Sequence, residues 1–202
     1  MLKIEILPHS HPFASNTYLL TSGSECAVID PSSPCDASAL ENPLKYILLT
    51  HSHFDHMLDI DEWVDKTGAT VHVSEQDFSA LSDPERNCYL LLTGQNKGFL
   101  GKAEKLYNGQ TLPLGDEEIK VISTPGHTPG SVCFMTSDAI FVGDTIFAGG
   151  GYGKCCFPGG SFSDIRKSID NLLTLDENIT VYPGHDGKTT IKEYKKDFYR
   201  QG

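Results

Sequence analysis

A chain of 202 residues can enclose one sizeable core, and 39% apolar residues are ordinary for a protein that folds in water. The formal charge of −11 argues against a nucleic-acid partner, because phosphate binding needs clustered Lys and Arg. No apolar run approaches the length that spans a bilayer, so the expectation is one domain over residues 1–202 with no membrane partner.

Residues 2–7 alternate like a strand and lack the long apolar core of a signal peptide, which makes a cytoplasmic location the default. Residues 17–20 and 26–29 read as two more short strands, followed by the loop Asp30-Pro31-Ser32-Ser33-Pro34 and a short helix over 36–41. The apolar run Tyr46-Ile47-Leu48-Leu49 then leads directly into Thr50-His51-Ser52-His53-Phe54-Asp55-His56. Neutral imidazole and carboxylate are good ligands for zinc, iron or manganese. In extended chain His51 and His53 point the same way and reach one metal. Asp55 and His56 fall where the chain turns, aim differently, and suit a second, adjacent metal.

A helix is expected over 57–66, ending near Gly68, then a strand over 70–73 and a helix over 75–81 with Ser74 as its N-cap. From 82 to 108 the pattern fades, and residues 93–98 form a candidate mobile loop bordering the site. Residues 112–114 and 118–123 flank the hairpin signal Gly115-Asp116. Residues 132–135 and 139–142 form a second hairpin-like pair. Helical spacing over 163–173, with Ser163 as cap, precedes a strand over 179–182 and a helix over 191–198.

Four apolar runs are each followed closely by a potential ligand: His51, His127 after Thr124-Pro125-Gly126, Asp144 after Gly143, and His185 after Pro183-Gly184. Ligands collected just beyond strand ends are how open sheets build sites, with glycine permitting the sharp turns. His9, His11 and His72 stand outside this pattern and read as surface or satisfied core histidines. The six cysteines contain no C-x-x-C pair and read as free thiols. Cys26 and Cys133 lie in apolar runs and are expected in the core, whereas Cys155 and Cys156 lie in a Gly-rich segment.

These motifs, with Gly143-Asp144-Thr145-Ile146-Phe147 and Tyr182-Pro183-Gly184-His185, resemble the metallo-β-lactamase-fold hydrolases. The likeness runs from about Asn16 to Thr190 and is nearest to the glyoxalase II (hydroxyacylglutathione hydrolase) branch in its short bacterial form. It implies an α+β fold, an αββα four-layer sandwich of two mixed β-sheets flanked by helices. It implies two divalent metal ions, zinc first with iron or manganese as alternatives. One is held by His51, His53 and His127, the other by Asp55, His56 and His185, and Asp144 bridges them. Asp55 and Asp144 are the catalytic carboxylates. The implied activity is hydrolysis of a small anionic thioester such as S-(2-hydroxyacyl)glutathione, by a hydroxide shared between the two ions.

Full-length glyoxalase II proteins carry a further C-terminal helical domain, expected to be missing here. At Gly153-Lys154-Cys155-Cys156-Phe157-Pro158-Gly159-Gly160 the short relatives read Gly-Arg-Thr-Asp-Leu-Pro-Gly-Gly. Lys154 keeps the positive charge and is expected to bind a substrate carboxylate. Cys155 and Cys156 are expected to border the pocket without acting as nucleophiles. The rival within the same motifs is a persulfide dioxygenase with one iron on His51, His127 and Asp144. A lactonase or other ester hydrolase of the same fold is a further alternative.

Overall fold

The computed structural model describes residues 2–9 and 11–200. Its first sheet holds β1 (Lys3–Leu7), β2 (Thr17–Ser22), β3 (Glu25–Ile29), β4 (Leu44–Leu48), β5 (Thr70–Ser74) and β6 (Ala103–Leu106), side by side in that order. β1, β2 and β3 pair antiparallel, and β3 through β6 pair parallel. The second sheet holds β7 (Thr111–Leu114), β8 (Glu117–Ser123), β9 (Val132–Met135), β10 (Ala139–Gly143), β11 (Thr180–Pro183) and β12 (Thr189–Thr190). Only the β10–β11 pair is parallel there.

Strand alternation explains why the apolar runs are continuous. In β3, Ala27 and Ile29 point into the space between the sheets, while Cys26 and Val28 point outward. Neither face meets water. Between the sheets, Tyr18, Leu20, Ile29 and Leu48 of the first pack against Leu114, Val121, Phe134 and Phe141 of the second. The outer face of the first sheet buries Ile47, Val71 and Val73 under Ile60 and Trp63 of helix α1 (Ile60–Thr67). The outer face of the second buries Ile140, Val142 and Val181 under helices α3 (Phe162–Leu172) and α4 (Ile191–Phe198). Two sheets face to face with helices outside are the αββα sandwich that the sequence leads one to expect. No helix among the described residues is long and apolar enough to cross a membrane.

Several local expectations need correction. Residues 75–81 form no α-helix; a turn leads to a 3-10 segment at Phe78–Ala80, where Asp77 occupies the cap position. The Asp77 side chain makes no cap bond there and instead accepts from Ser52, Thr128 and Gly130. The short helix over 36–41 shrinks to a 3-10 turn at Ala37–Ala39. The cap of α3 is Ser161, whose side chain accepts from the Asp164 N–H, not Ser163. The featureless region conceals β6 and a short helix, α2 (Tyr89–Thr93), which opens from Cys88 in the left-handed region at φ 65°. β6 reads Ala-Glu-Lys-Leu and is an edge strand, where charged residues are expected. Of the loop expected over 93–98, Thr93 closes α2 and residues 94–98 have no regular structure.

Candidate metal centre

The site sits at one end of the sandwich, where both sheets contribute. His51 and His53 follow β4, Asp55 and His56 lie in a 3-10 turn at Phe54–His56, and His127 lies in the β8–β9 connection. Asp144 follows β10, and His185 follows its parallel neighbour β11. Backbone bonds tie these segments together. The Val132 N–H donates to the Thr50 carbonyl at 2.8 Å across the two sheets, and the Gly184 N–H donates to the Gly143 carbonyl at 2.7 Å.

All seven expected ligands come together. Three donor sets each lie within 4.8 Å: His51 with His53 and His127, His51 with His56 and Asp144, and Asp55 with His56 and His185. Asp144 faces both ends of the cluster. Its Oδ1 is 3.2 Å from His56 Nε2 and 3.7 Å from His185 Nε2, while its Oδ2 is 3.5 Å from His127 Nε2. Asp55 Oδ2 lies 3.2 Å from His185 Nε2.

Partners behind the rings fix which nitrogen is bare. A carbonyl only accepts, so His127 Nδ1, 2.8 Å from the Lys154 carbonyl, carries the proton, and its unprotonated Nε2 lies 2.9 Å from His53 Nδ1. The Thr50 hydroxyl donates to Asp30 Oδ2 at 2.7 Å, so at 3.2 Å it accepts from His51 Nδ1. His56 Nδ1 bonds Asp30 Oδ2 directly at 2.8 Å. Asp30 thus sets the tautomers of two rings at once, and is itself held by the Thr50 N–H at 2.8 Å.

The residues fit a cation. Of the five buried side-chain N and O atoms without a hydrogen-bond partner among the described residues, four are here: His51 Nε2, His53 Nε2, His56 Nε2 and Asp144 Oδ1. Such atoms cost free energy unless something is bound to them. Burial, and then the surrounding imidazoles, keep His51 neutral far below its usual titration range, and bring His53 down to about 3. Neutral imidazole is the form that binds metal. Burial opposes charge on His56, but Asp30 and Asp144 outweigh it and raise that ring well above its ordinary value. Burial would likewise raise Asp144, yet His56, then His127 and His185, hold it well below the usual carboxylate range. Two carboxylates held below their usual range in a largely buried cluster favour positive charge beside them.

Two glycines make room for this packing. A Cβ on Gly184 would stand 2.3 Å from Asp144 Oδ1 and 2.5 Å from His56 Cε1; on Gly153 it would stand 2.0 Å from the Asp144 carbonyl.

The Metallo-beta-lactamase superfamily matches residues 11–185. The chain belongs to that superfamily. It is 31% identical over 179 residues to the "Probable polyketide biosynthesis zinc-dependent hydrolase PksB" of Bacillus subtilis (strain 168), a match covering 86% of this chain and 72% of that one. A solved structure described as the BLEG-1 B3 metallo-beta-lactamase superposes with a TM-score of 0.87 and 31% identity, over 100% of both chains. TTHA1623 in a di-iron-bound form superposes with a TM-score of 0.81 and 26% identity, over 96% of this chain and 98% of that one.

A cavity of about 320 Å³ opens onto the metallo-β-lactamase-type cluster. Lys154 is on its wall, and its backbone carbonyl also bonds His127 Nδ1. Cys155 and Cys156 are not among the lining residues; Cys88 is, and burial, with Asp55 and Cys156 nearby, pushes its thiol up to about 11. A protonated buried thiol is inert. Cys26 and Cys133 are core residues, as expected. His72 bonds the Thr70 carbonyl and lies 3.5 Å from Glu104, away from the centre. His9 and His11 also stand apart from it.

Sequence reasoning missed Asp30 and Asp77. Asp30 directly follows the run ending at Ile29, the same strand-then-ligand pattern that marks the other sites, so a signal was present. Asp77 had none. Truncating Asp30 to alanine should weaken zinc affinity about 10- to 100-fold with the fold retained, because His51 and His56 lose the partner that orients them. A competition titration against a chromophoric chelator measures it, and unchanged affinity refutes the role.

Proposed function

We propose that this protein is a glyoxalase II-like thioester hydrolase that works at two divalent metal ions, zinc in the first instance and iron or manganese otherwise. The observation that carries the reading is the pair of adjoining donor sets with Asp144 presenting one carboxylate oxygen towards each. His51, His53 and His127 would hold one ion, Asp55, His56 and His185 the other, and Asp144 would touch both. Bound there, divalent cations lower the pKa of water from 15.7 to about 7 and polarise a carbonyl. The di-iron form of TTHA1623 and the zinc dependence in the name of PksB support metal in such a site.

The residues define the rest. The ligand set brings two negative charges from Asp55 and Asp144, fewer than two divalent ions carry, so the centre stays positive. A positive centre beside Lys154 favours an anionic substrate and an oxyanion forming near it. The walls next to it are Phe147, Phe157 and Tyr152, which limit water around the reacting carbonyl. A thiol of pKa about 8.5 leaves without a protein acid, and Cys88, the cysteine on the wall, is buried and neutral.

The test is hydrolysis of an S-(2-hydroxyacyl)glutathione by protein analysed for metal, run beside oxygen uptake on glutathione persulfide and hydrolysis of a β-lactam. Thioester turnover with about two ions per chain supports the proposal. Oxygen uptake with a single iron assigns the dioxygenase instead, and β-lactam turnover alone assigns a lactamase.

Lys154→Ala should raise KM for an anionic thioester about three- to tenfold and leave kcat nearly unchanged. The ammonium is exposed, its partner sits away from the chemistry, and that partner is equally charged throughout the reaction. The backbone carbonyl that holds His127 survives the substitution. Equal KM values for both proteins dismiss the assignment.

A further inference from the structure

The histidine rings of the cluster are not all held in the same way. His51, His56 and His127 each have a partner behind Nδ1, at the Thr50 hydroxyl, the Asp30 carboxylate and the Lys154 carbonyl. His53 Nδ1 faces His127 Nε2 at 2.9 Å. His185 differs. Among the described residues its polar ring contacts run through Nε2, to Asp55 at 3.2 Å and Asp144 at 3.7 Å. Its side chain is 34% exposed, whereas the other four histidines are buried. It lies in a bend after β11, between Gly184 and Asp186, and Asp186 is left-handed at φ 65°. With no partner behind the ring, the aim of His185 is set by the backbone on either side of it.

That backbone is gripped by Asn16, the residue immediately before β2. The Asn16 side-chain amide donates to the Pro183 carbonyl at 3.1 Å and to the Asp186 carbonyl at 2.9 Å. Its backbone N–H donates to the Gly184 carbonyl at 2.7 Å. Carbonyls only accept, so both amide protons are committed and the side chain has one orientation. Tyr18 donates its hydroxyl to the same Pro183 carbonyl at 2.5 Å. On the other side of Asn16, the Ser15 N–H donates to the Asp55 carbonyl at 2.9 Å. Consecutive residues thus hold the backbone of Asp55 and the bend that carries His185, two members of one donor set. Among the described residues, no hydrogen bond of Ser15 or Asn16 reaches His51, His53 or His127.

We infer that Asn16 is a positioning residue that aims His185, and so sets the affinity of the Asp55–His56–His185 site without setting that of His51–His53–His127. This rests on the two-ion reading above and specifies what holds its more exposed half in place.

Two measurements test it. The first is titration of metal-free protein with zinc against a chromophoric chelator, which resolves two successive Kd values. In Asn16→Ala the second Kd should weaken about ten- to a hundredfold, and the first by less than about twofold. Asn16→Leu fills much the same space without a donor and should match alanine. Wild-type affinity in the leucine variant assigns the residue to packing and refutes the inference. Equal losses at both ions, or none at either, refute it as well. If the Asn16 variants do not fold, Tyr18→Phe carries the titration. It removes one bond to the Pro183 carbonyl and keeps the ring, so the second Kd should weaken about two- to tenfold. An unchanged value there overturns the inference.

The second measurement uses no metal and follows the histidine ring signals by NMR. In Asn16→Ala the His185 signals should shift and broaden, while those of His51, His53 and His127 keep their positions. Unmoved His185 signals overturn the positioning role. A wild type that takes up only one ion sinks the two-ion reading, and the ring signals then decide by themselves whether Asn16 aims His185.

Discussion

Asp144→Ala should lower kcat/KM by about 10³-fold or more and reduce bound metal to about one ion per chain or less. The carboxylate is the one side chain that reaches both ends of the cluster, with Oδ1 towards His56 and His185 and Oδ2 towards His127. Removing it deletes one of the two negative charges available to separate a pair of cations, so their repulsion is less screened. It also misplaces the groups that stabilise developing charge, and loss of one such group alone is worth about 10²–10³ in rate. Asp144→Asn is the instructive companion. It keeps the volume and one acceptor oxygen, so its loss should be smaller than that of alanine, with metal content reduced in proportion. Near-normal turnover and metal content in Asp144→Ala reject the bridging role.

Asp77→Ala should destabilise the metal-free protein by about 3 kcal/mol or more. Asp77 is 1% exposed and accepts from the Ser52 N–H at 3.0 Å, the Thr128 hydroxyl at 2.8 Å and the Gly130 N–H at 2.9 Å. It therefore joins the loop after β4 in one sheet to the β8–β9 loop in the other. Truncation strands two buried N–H groups, each costing about 1–3 kcal/mol, while the Thr128 hydroxyl can still pair with Ser131 at 2.8 Å. At about 2–4 °C per kcal/mol for a chain of this size, Tm should fall by about 6–12 °C. Asparagine should be nearly as harmful, because its amide turns a donor towards one of the two N–H groups. Working without metal separates this loss from any change in affinity. A Tm within 2 °C of wild type contradicts it.

The legible parts of this molecule are those whose chemistry is local. Thr50 to His56 packs four donors into seven residues, and their closeness in sequence guarantees their closeness in space. His127, Asp144 and His185 were legible through the strand that precedes each, because a strand end fixes position before the tertiary structure is known. The sandwich was legible because strands buried on both faces read as apolar runs, as in β10 and in β3 after Glu25. Asp77 was not, since its three partners come from segments that only the finished fold brings beside it. α2 was hidden because its leucines face outward and give no helical periodicity against a core. The second role of Lys154 was invisible for a simpler reason. Every residue carries a carbonyl, and only the fold determines which one a histidine meets.

The placement of the ligands along the chain has a consequence for how the protein is made. His51, His53, Asp55 and His56 leave the ribosome together, long before His127, Asp144 and His185 exist. β11, which delivers His185, pairs parallel to β10 and reaches it only after the intervening α3 has crossed over. During synthesis the nascent segment is thus a four-donor chelator with no scaffold, able to seize an ion in a geometry the final site does not use. An ion trapped this way would have to be released before the two sheets could close around the final site. Refolding from denaturant should accordingly be slower with zinc present from the start than with zinc supplied afterwards, and equal rates would show that early capture is harmless. Slower refolding would mark polypeptide first and metal last as the order of assembly that suits this chain.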